Sequence, residues 1–314
     1  MLERRDTKRK SFLRAVARPS VHALKAVILA AGLGTRLLPY SKEMPKEMLP
    51  IFFAEGGRVV LKPILQAVFE QLYEAGVRDF CFVVGRGKRA VEDHFTPDWS
   101  YVELLESRGK SEEAKMLSGF YEMIQNSNIV WVNQPVPRGT GDAVAQARHF
   151  ASDGYFFVAA GDNIFLGENV ARKLLELHKE LGGAVMAGKK VEDPRKYGVL
   201  VGRAVSDRVI KLERILEKPR EPPSNLANTS LYLLPPSIFD ALDECKPSPR
   251  GEIELTDAIQ KIVEWGEEVY AYDVGGAYWV DVGTPETYLD AMLLSLKVCN
   301  NPGIIEKASK VLNL

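Results

Sequence analysis

Cysteine is scarce in this chain. Three occur in 314 residues, at Cys81, Cys245 and Cys299, widely spaced and in no Cys-x-x-Cys pair. That odd count argues against a disulfide framework or a cysteine zinc site, and it makes a reducing, cytoplasmic setting the expected one. Histidine is as sparse: His22, His94, His149 and His178 stand apart, with no ligand pair or triad among them. No apolar run approaches the roughly 18 residues that a spanning helix needs, so no membrane segment is expected. Internal repeats, low-complexity tracts and a clear interdomain linker are also missing. With 46% hydrophobic and 26% charged residues, what remains is an ordinary globular composition. The length suits one large domain or two small ones.

The net charge of −1 conceals an asymmetry. Residues 1–24 hold seven Arg and Lys against Glu3 and Asp6, a balance of +5, which leaves −6 for the rest. A basic arm can touch nucleic acid or anionic membrane, or resemble a transit peptide, but this one lacks the apolar core of a secretory signal. The expectation is a basic N-terminal extension over 1–24, outside the working part of the protein, with no nucleic-acid and no membrane partner.

The chain is organised around residues 25–50. Lys25 to Ala31 is almost continuously apolar, as a buried parallel strand would be. It breaks at Gly32-Leu33-Gly34-Thr35-Arg36, where glycines permit a sharp turn and close approach of backbone N–H groups to a ligand. Arg36, Lys42 and Lys46 follow, and an Arg fork with Lys point charges suits a polyphosphate. The loop is not a Walker A motif, because Thr35 is followed by Arg36. Nor is it a dinucleotide fingerprint, because Leu37 replaces the third glycine.

Downstream, strands are predicted at Asp79–Val84, Ile129–Asn133 and Tyr155–Ala160. Helices are predicted from Leu61 to Leu72, from Lys88 to Phe95, within 99–126 and from Thr140 to Phe150. This alternation implies an α/β, Rossmann-like fold with a mixed, mostly parallel sheet. In the second half, strand-like runs at Ala184–Ala187, Val199–Val205, Arg208–Leu216 and Leu226–Leu234 follow one another without helices. They read as antiparallel additions covering the ligand edge of the sheet. Helices return at Ser237–Glu244, Leu255–Trp265 and Pro285–Cys299, and residues 300–314 read as a tail.

Ligands of open α/β sheets gather at the carboxyl ends of strands. That rule selects the loop after Lys25–Ala31, Gln134 and Asp162. Asp162 could hold a hard cation, or cap the Asp162-Asn163 turn. Asp281, after another apolar stretch, is equally a cation ligand or a capping residue before Thr284-Pro285. Gln134, on a proline-containing loop, offers a donor and an acceptor that match the imide edge of uracil or thymine, or it satisfies nearby backbone. Glu217-Lys218-Pro219 taken alone is an ordinary solvated charge pair.

Several motifs in order give these residues a family. GLGTRLLPYSKEMPKEMLP from Gly32 resembles the signature of sugar-1-phosphate nucleotidylyltransferases, nearest the bacterial-type uridylyltransferases that use UTP and glucose 1-phosphate. The resemblance continues through Glu92-Asp93-His94-Phe95, Glu217-Lys218-Pro219, Pro223-Ser224-Asn225-Leu226-Ala227 and Glu252 to Ala258, covering roughly residues 24–294. It implies a catalytic domain over 25–299 that makes UDP-glucose and pyrophosphate with Mg2+, in a homo-oligomer, dimer or tetramer. It also implies nucleotide contacts from Ala31, Gly32, Gly34, Thr35, Arg36, Lys46, Gln134, Gly139 and Asp162. Sugar-phosphate contacts would come from Gly198, Glu217, Lys218 and Asn228, with Tyr197 nearby. Asp162 and Asp281 would be the metal ligands, and Arg36, Lys46, Asp162 and Lys218 the catalytic set.

The pattern departs in places. Asp142 stands where bacterial uridylyltransferases usually have His, Ala160-Gly161-Asp162 replaces Leu-Pro-Asp, and Ser230 replaces a common Gly. Trp279 to Thr284 is nearer the thymidylyl and archaeal branches. Thymidylyl transfer, an N-acetylhexosamine 1-phosphate substrate and a catalytically silent nucleotide-sugar sensor therefore stay open at this point.

Overall fold

A computed structural model of the chain describes residues 24–312. Apart from Leu24, the basic extension over 1–24 lies outside the described residues. In chain order the first strands are β1 (Lys25–Ala30), β2 (Pro50–Glu55), β3 (Arg58–Pro63), β4 (Asp79–Val84), β5 (Asn128–Asn133) and β6 (Phe156–Ala160). There follow β7 (Asn163–Leu166), β8 (Ala184–Lys190), β9 (Gly198–Ser206), β10 (Val209–Glu217), β11 (Leu226–Leu234), β12 (Val269–Asp273) and β13 (Tyr278–Asp281). Nine of them form one sheet in the order β5-β4-β1-β6-β11-β8-β12-β10-β9.

β5, β4, β1 and β6 pair in parallel, and β8 and β12 pair in parallel further along. β11 runs antiparallel between β6 and β8, while β10 and β9 close the far edge as antiparallel strands. The antiparallel runs were expected to cover the ligand edge. Instead they extend the sheet itself, β11 pairing with β6 and β8, and β10 pairing with β12 and β9.

Both faces of the sheet are covered, which explains the unbroken apolar runs. Along β1, Ala26, Ile28 and Ala30 point into one core and Val27 into the other. The first core holds an aromatic group in which the Phe69 ring meets Phe80, Phe95 and Phe120 at centroid distances of 4.5, 5.2 and 6.2 Å. Burial of each such ring contributes roughly 1.5–3 kcal/mol.

A further expectation, the start of the helix at Leu61, needs correction. Leu61 does not belong to the helix that starts at Ile64. It sits in β3, 57% exposed, because Gly56 and Gly57 take φ of 57° and 78° and turn the chain into the β2–β3 hairpin. The stretch read as a tail carries the helix Pro302–Leu312.

Register fixes where the site opens. Ala30 pairs with Val84, Val84 with Asn133, and Leu29 with Ala160, so these parallel strands end level. The residues that follow, Ala31, Gly85, Gln134 and Gly161, share one edge. Gly161 N–H donates to Leu29 O at 2.9 Å and Gln134 N–H to Val84 O at 2.7 Å, which pins the exits.

Candidate active site

The loop after β1 folds as three short 3-10 turns, Thr35–Leu37, Tyr40–Lys42 and Lys46–Met48. Gly34 takes φ 65°, and its carbonyl accepts from Leu37 N–H at 2.8 Å and from Ser41 Oγ at 2.7 Å. This curl brings Lys46 back across the strand end. A Cβ on Gly32 would lie 3.6 Å from Lys46 Cε, so the lysine passes directly over Gly32. Lys46 Nζ forms an ion pair with Asp162 Oδ2. Ala31 is buried at the strand end, and Thr35 opens the first turn.

Asp281 joins them through a pairing that no sequence window displays. β7 and β13 form a two-stranded antiparallel ribbon that places Asp281 opposite Asn163, and Val282 N–H donates to Asp162 O at 3.1 Å. Arg36 reaches the same place: a Cβ on Gly283 would stand 2.8 Å from its Nη2, so Gly283 leaves the guanidinium its room. Sequence reasoning named the two acids but missed what orients them. Trp279 Nε1–H donates to Asn163 Oδ1 at 2.8 Å, and Asn163 Nδ2–H donates to Asp162 Oδ1 at 2.9 Å.

The electrostatics follow from crowding. Burial opposes charge on Asp162, but Lys46 and Asn163 outweigh it and hold the carboxyl below its usual range. Burial would likewise lower Lys46, yet Asp162, Glu47 and Asp281 keep it above the ordinary lysine value. Asp281 is pushed up to about 6, by burial first and then by Asp162, against the pull of Lys46, Arg36 and Lys218.

Among the described residues no three or more His, Cys, Asp and Glu converge as a metal cage. The donor set at this edge is two carboxylates. That fits Mg2+, which takes one or two carboxylates and completes its shell with substrate phosphates and water.

The sugar-phosphate candidates gather on the other half of the sheet. Glu217, the last residue of β10, pairs with Gly198, the first of β9, and Ala227 of β11 pairs with Val199. A Cβ on Gly198 would lie 3.2 Å from Glu217 Oε2 and 3.4 Å from Asn228 Cβ. Asn228 Nδ2–H donates to Tyr232 OH at 2.6 Å, and its Oδ1 accepts from Ser230 N–H at 3.1 Å. Ser230 takes φ 58° within the irregular stretch of β11, a conformation that a glycine adopts without strain. Lys218, 43% exposed on its side chain, also has positive φ (43°), and its Nζ lies 3.3 Å from Glu217 Oε1.

Three neighbours here were not foreseen. Arg250 Nη2 sits 2.7 Å from Glu254 Oε1 and 3.5 Å from Glu217 Oε1, and Thr256 Oγ1–H donates to Glu217 Oε2 at 3.3 Å. Burial, then the Glu217 charge, raises Glu254 above the usual carboxylate range despite Arg250.

Gln134 follows β5 at one edge of the sheet, and Gly139 packs on Ile253, where a Cβ would lie 2.6 Å from Ile253 O. Gly139 takes φ 104° and enters the helix Thr140–Gln146, and Gly141 N–H donates to Ile253 O at 2.8 Å. The base-loop candidates thereby dock on the segment that carries Glu254 and Thr256.

The family model for nucleotidyl transferases matches residues 25–297. The chain belongs to the nucleotidyl transferase family. Its relatives include the UTP–glucose-1-phosphate uridylyltransferase of Pseudomonas aeruginosa, 36% identical over 274 residues, covering 85% of this chain and 94% of that one. The Bacillus subtilis enzyme of the same name is 39% identical over 264 residues, covering 82% and 86%. Among solved nucleotidyl transferases, a UDP-glucose pyrophosphorylase complexed with UDP-glucose superposes with TM-score 0.75 at 30% identity, covering 88% of this chain and all but 1% of the other (99%). UTP-bound UGPase from Acinetobacter baumannii gives TM-score 0.78 at 27% identity, covering 93% and 100%.

Proposed function

We propose that this nucleotidyl transferase moves the uridylyl group of UTP to glucose 1-phosphate, giving UDP-glucose and pyrophosphate. The observation that carries the reading is the meeting of Arg36, Lys46, Asp162 and Asp281 at one strand edge, with Lys218 close enough to act on Asp281. Relatives that share this fold over most of their length are named for the same reaction.

The chemistry asks for positioning more than for a base. A phosphomonoester has its second pKa at about 6, so glucose 1-phosphate arrives mostly dianionic at neutral pH. Its phosphate oxygen attacks the α-phosphorus of UTP, the bond to the α,β-bridging oxygen breaks, and pyrophosphate leaves with that electron pair. Two polyanions must be brought into line, and the departing charge must be stabilised. Arg36, Lys46 and the N–H groups around Gly32 and Gly34 receive the triphosphate. Lys46 exchanges its bond with Asp162 for one with the phosphates, and Gln134 and Gly139 meet the base. Lys218 holds the attacking phosphate, while Glu217, Asn228 and Gly198 face the sugar. Mg2+, held by Asp162 and Asp281, supplies charge neutralisation at the phosphate oxygens when bound.

Pyrophosphate release from a panel of nucleoside triphosphates and sugar 1-phosphates tests the reading. UTP with glucose 1-phosphate should give the highest kcat/KM. A higher value for dTTP, or for an N-acetylhexosamine 1-phosphate, would replace the substrates named here.

A further inference from the structure

Gln134 is 4% exposed, and its amide is held from one side. Nε2–H groups donate to Asp142 Oδ2 at 2.7 Å and to Gly139 O at 3.2 Å. A carboxylate and a backbone carbonyl are both acceptors only, so the amide fits just one way round. Both N–H groups face the loop. Oε1 lies on the other side of the amide, turned away from these two acceptors.

Asp142 is itself fixed. The residue is 6% exposed in the first turn of the helix Thr140–Gln146, and its Oδ1 is held by Arg138 Nη2 at 2.7 Å. The loop around it is clamped from both ends, by Ile253 N–H to Arg138 O at 2.7 Å and Gly141 N–H to Ile253 O at 2.8 Å. A carboxylate this far from solvent has both of its oxygens committed, one to the guanidinium and one to Gln134.

We infer that Asp142 determines base specificity by holding the Gln134 amide with its carbonyl oxygen towards the nucleotide. The inference rests on the reading that Gln134 meets the base. Uracil and thymine carry N3–H and can donate to Oε1. Cytosine presents a lone pair at N3, and two acceptors then face each other in a dry place. Asp142 touches neither substrate; it acts as a positioning residue, through Gln134.

The test uses the full chain and initial rates of pyrophosphate release with glucose 1-phosphate and either UTP or CTP. In Asp142→Asn the new amide oxygen goes to the Arg138 cation, which turns its NH2 towards Gln134 and favours the inverted Gln134 amide. The ratio of kcat/KM for UTP to that for CTP should fall about tenfold or more, the size expected for one mismatched buried hydrogen bond. The loss should sit in the KM for UTP rather than in kcat, which a general structural defect would not reproduce. Gln134→Ala should lower the same ratio. If Gln134→Ala lowers it while Asp142→Asn leaves it within about twofold of the parent, Asp142 is not the orienting group. If Gln134→Ala also leaves it unchanged, Gln134 does not read the base, and the base site fails together with this inference. Should Asp142→Asn not fold, the parent protein decides: N3-methyl-UTP should compete with UTP at least about tenfold more weakly than UTP itself. Equal competition would overturn the proposal.

Discussion

The indole N–H of Trp279 donates to Asn163 Oδ1 at 2.8 Å, across 116 residues of sequence. An indole is a donor only, so this bond sets which way round the Asn163 amide sits. Its NH2 must then face Asp162 Oδ1, which leaves Oδ2 for Lys46. The orientation of a strand-end carboxylate is thus determined two residues away from it in space.

Trp279→Phe keeps a ring against Tyr197, which lies 4.9 Å away between centroids, and removes only the N–H. Loss of such an outer partner typically costs about 10–100-fold in metal affinity or activity. We expect kcat to fall by roughly tenfold and the Mg2+ concentration for half-maximal rate to rise. Mn2+ titration of the UTP-loaded protein by electron paramagnetic resonance should show the same weakening without turnover. Unchanged Mn2+ affinity would confine Trp279 to packing.

Beneath the same loop, Glu47 is 1% exposed and accepts from Lys88 Nζ at 2.8 Å. Burial raises the Glu47 carboxyl above its usual range, with Lys88 and then Lys46 opposing that rise. Lys88→Met should leave Glu47 without its nearest cation and destabilise the fold by about 3–5 kcal/mol in urea titration. Adding Glu47→Leu should restore much of that loss, because burying two apolar groups avoids both desolvation costs. A single Lys88→Met change that left stability untouched would show that the pair carries no such cost.

His94 should tie stability to pH. Its ring packs 5.5 Å from Phe95 and 5.1 Å from Phe120, Nε2 lies 3.0 Å from Gln66 Oε1, and burial pulls its pKa from 6.5 to about 4. Above 6.5 the ring is neutral in both folded and unfolded chains. Between 6.5 and about 4 the unfolded chain takes up a proton that the folded one refuses. Stability therefore falls with pH across that window and levels off below it, by roughly 3 kcal/mol in all. His94→Phe should remove this component from a series of urea titrations between pH 7 and pH 4.5; an unaltered slope would show that the ring titrates normally.

What was legible in the sequence was local. The apolar run of β1, its glycine turn and the strand–helix alternation reflect backbone needs that adjacent residues meet. β7 and β13 were missed as strands because four residues carry too little pattern. Asn163 in particular has good turn chemistry and sits in a strand only because β13 pairs with it. The Gly56-Gly57 hairpin signal was present but lay beside Leu61, whose spacing fits the following helix equally well. Arg250 and Glu217 are 33 residues apart, and Lys88 and Glu47 are 41 apart. Such pairs have no signature in any window; topology alone brings them together.

On the proposed reading, Lys46 and Lys218 divide the reacting charge between them. Lys46, buried on Asp162, would then receive the triphosphate and the departing pyrophosphate, whereas the more exposed Lys218, beside Glu217, would meet the sugar phosphate. Loss of one preorganised charge donor costs about 2.7–4 kcal/mol in a transition state, so each alanine variant should lose roughly two to three orders of magnitude in kcat. Their binding defects should separate. Lys46→Ala should weaken UTP most, and Lys218→Ala should weaken glucose 1-phosphate while sparing UTP, as read by calorimetric titration of each substrate into folded protein. Lys46→Ala also leaves Asp162 without its ion-pair partner, so its thermal stability is measured alongside to separate misfolding from lost catalysis. If Lys218→Ala bound glucose 1-phosphate like the parent, Lys218 would be a solvated surface charge, and the sugar site drawn around Gly198, Glu217 and Asn228 would have to move.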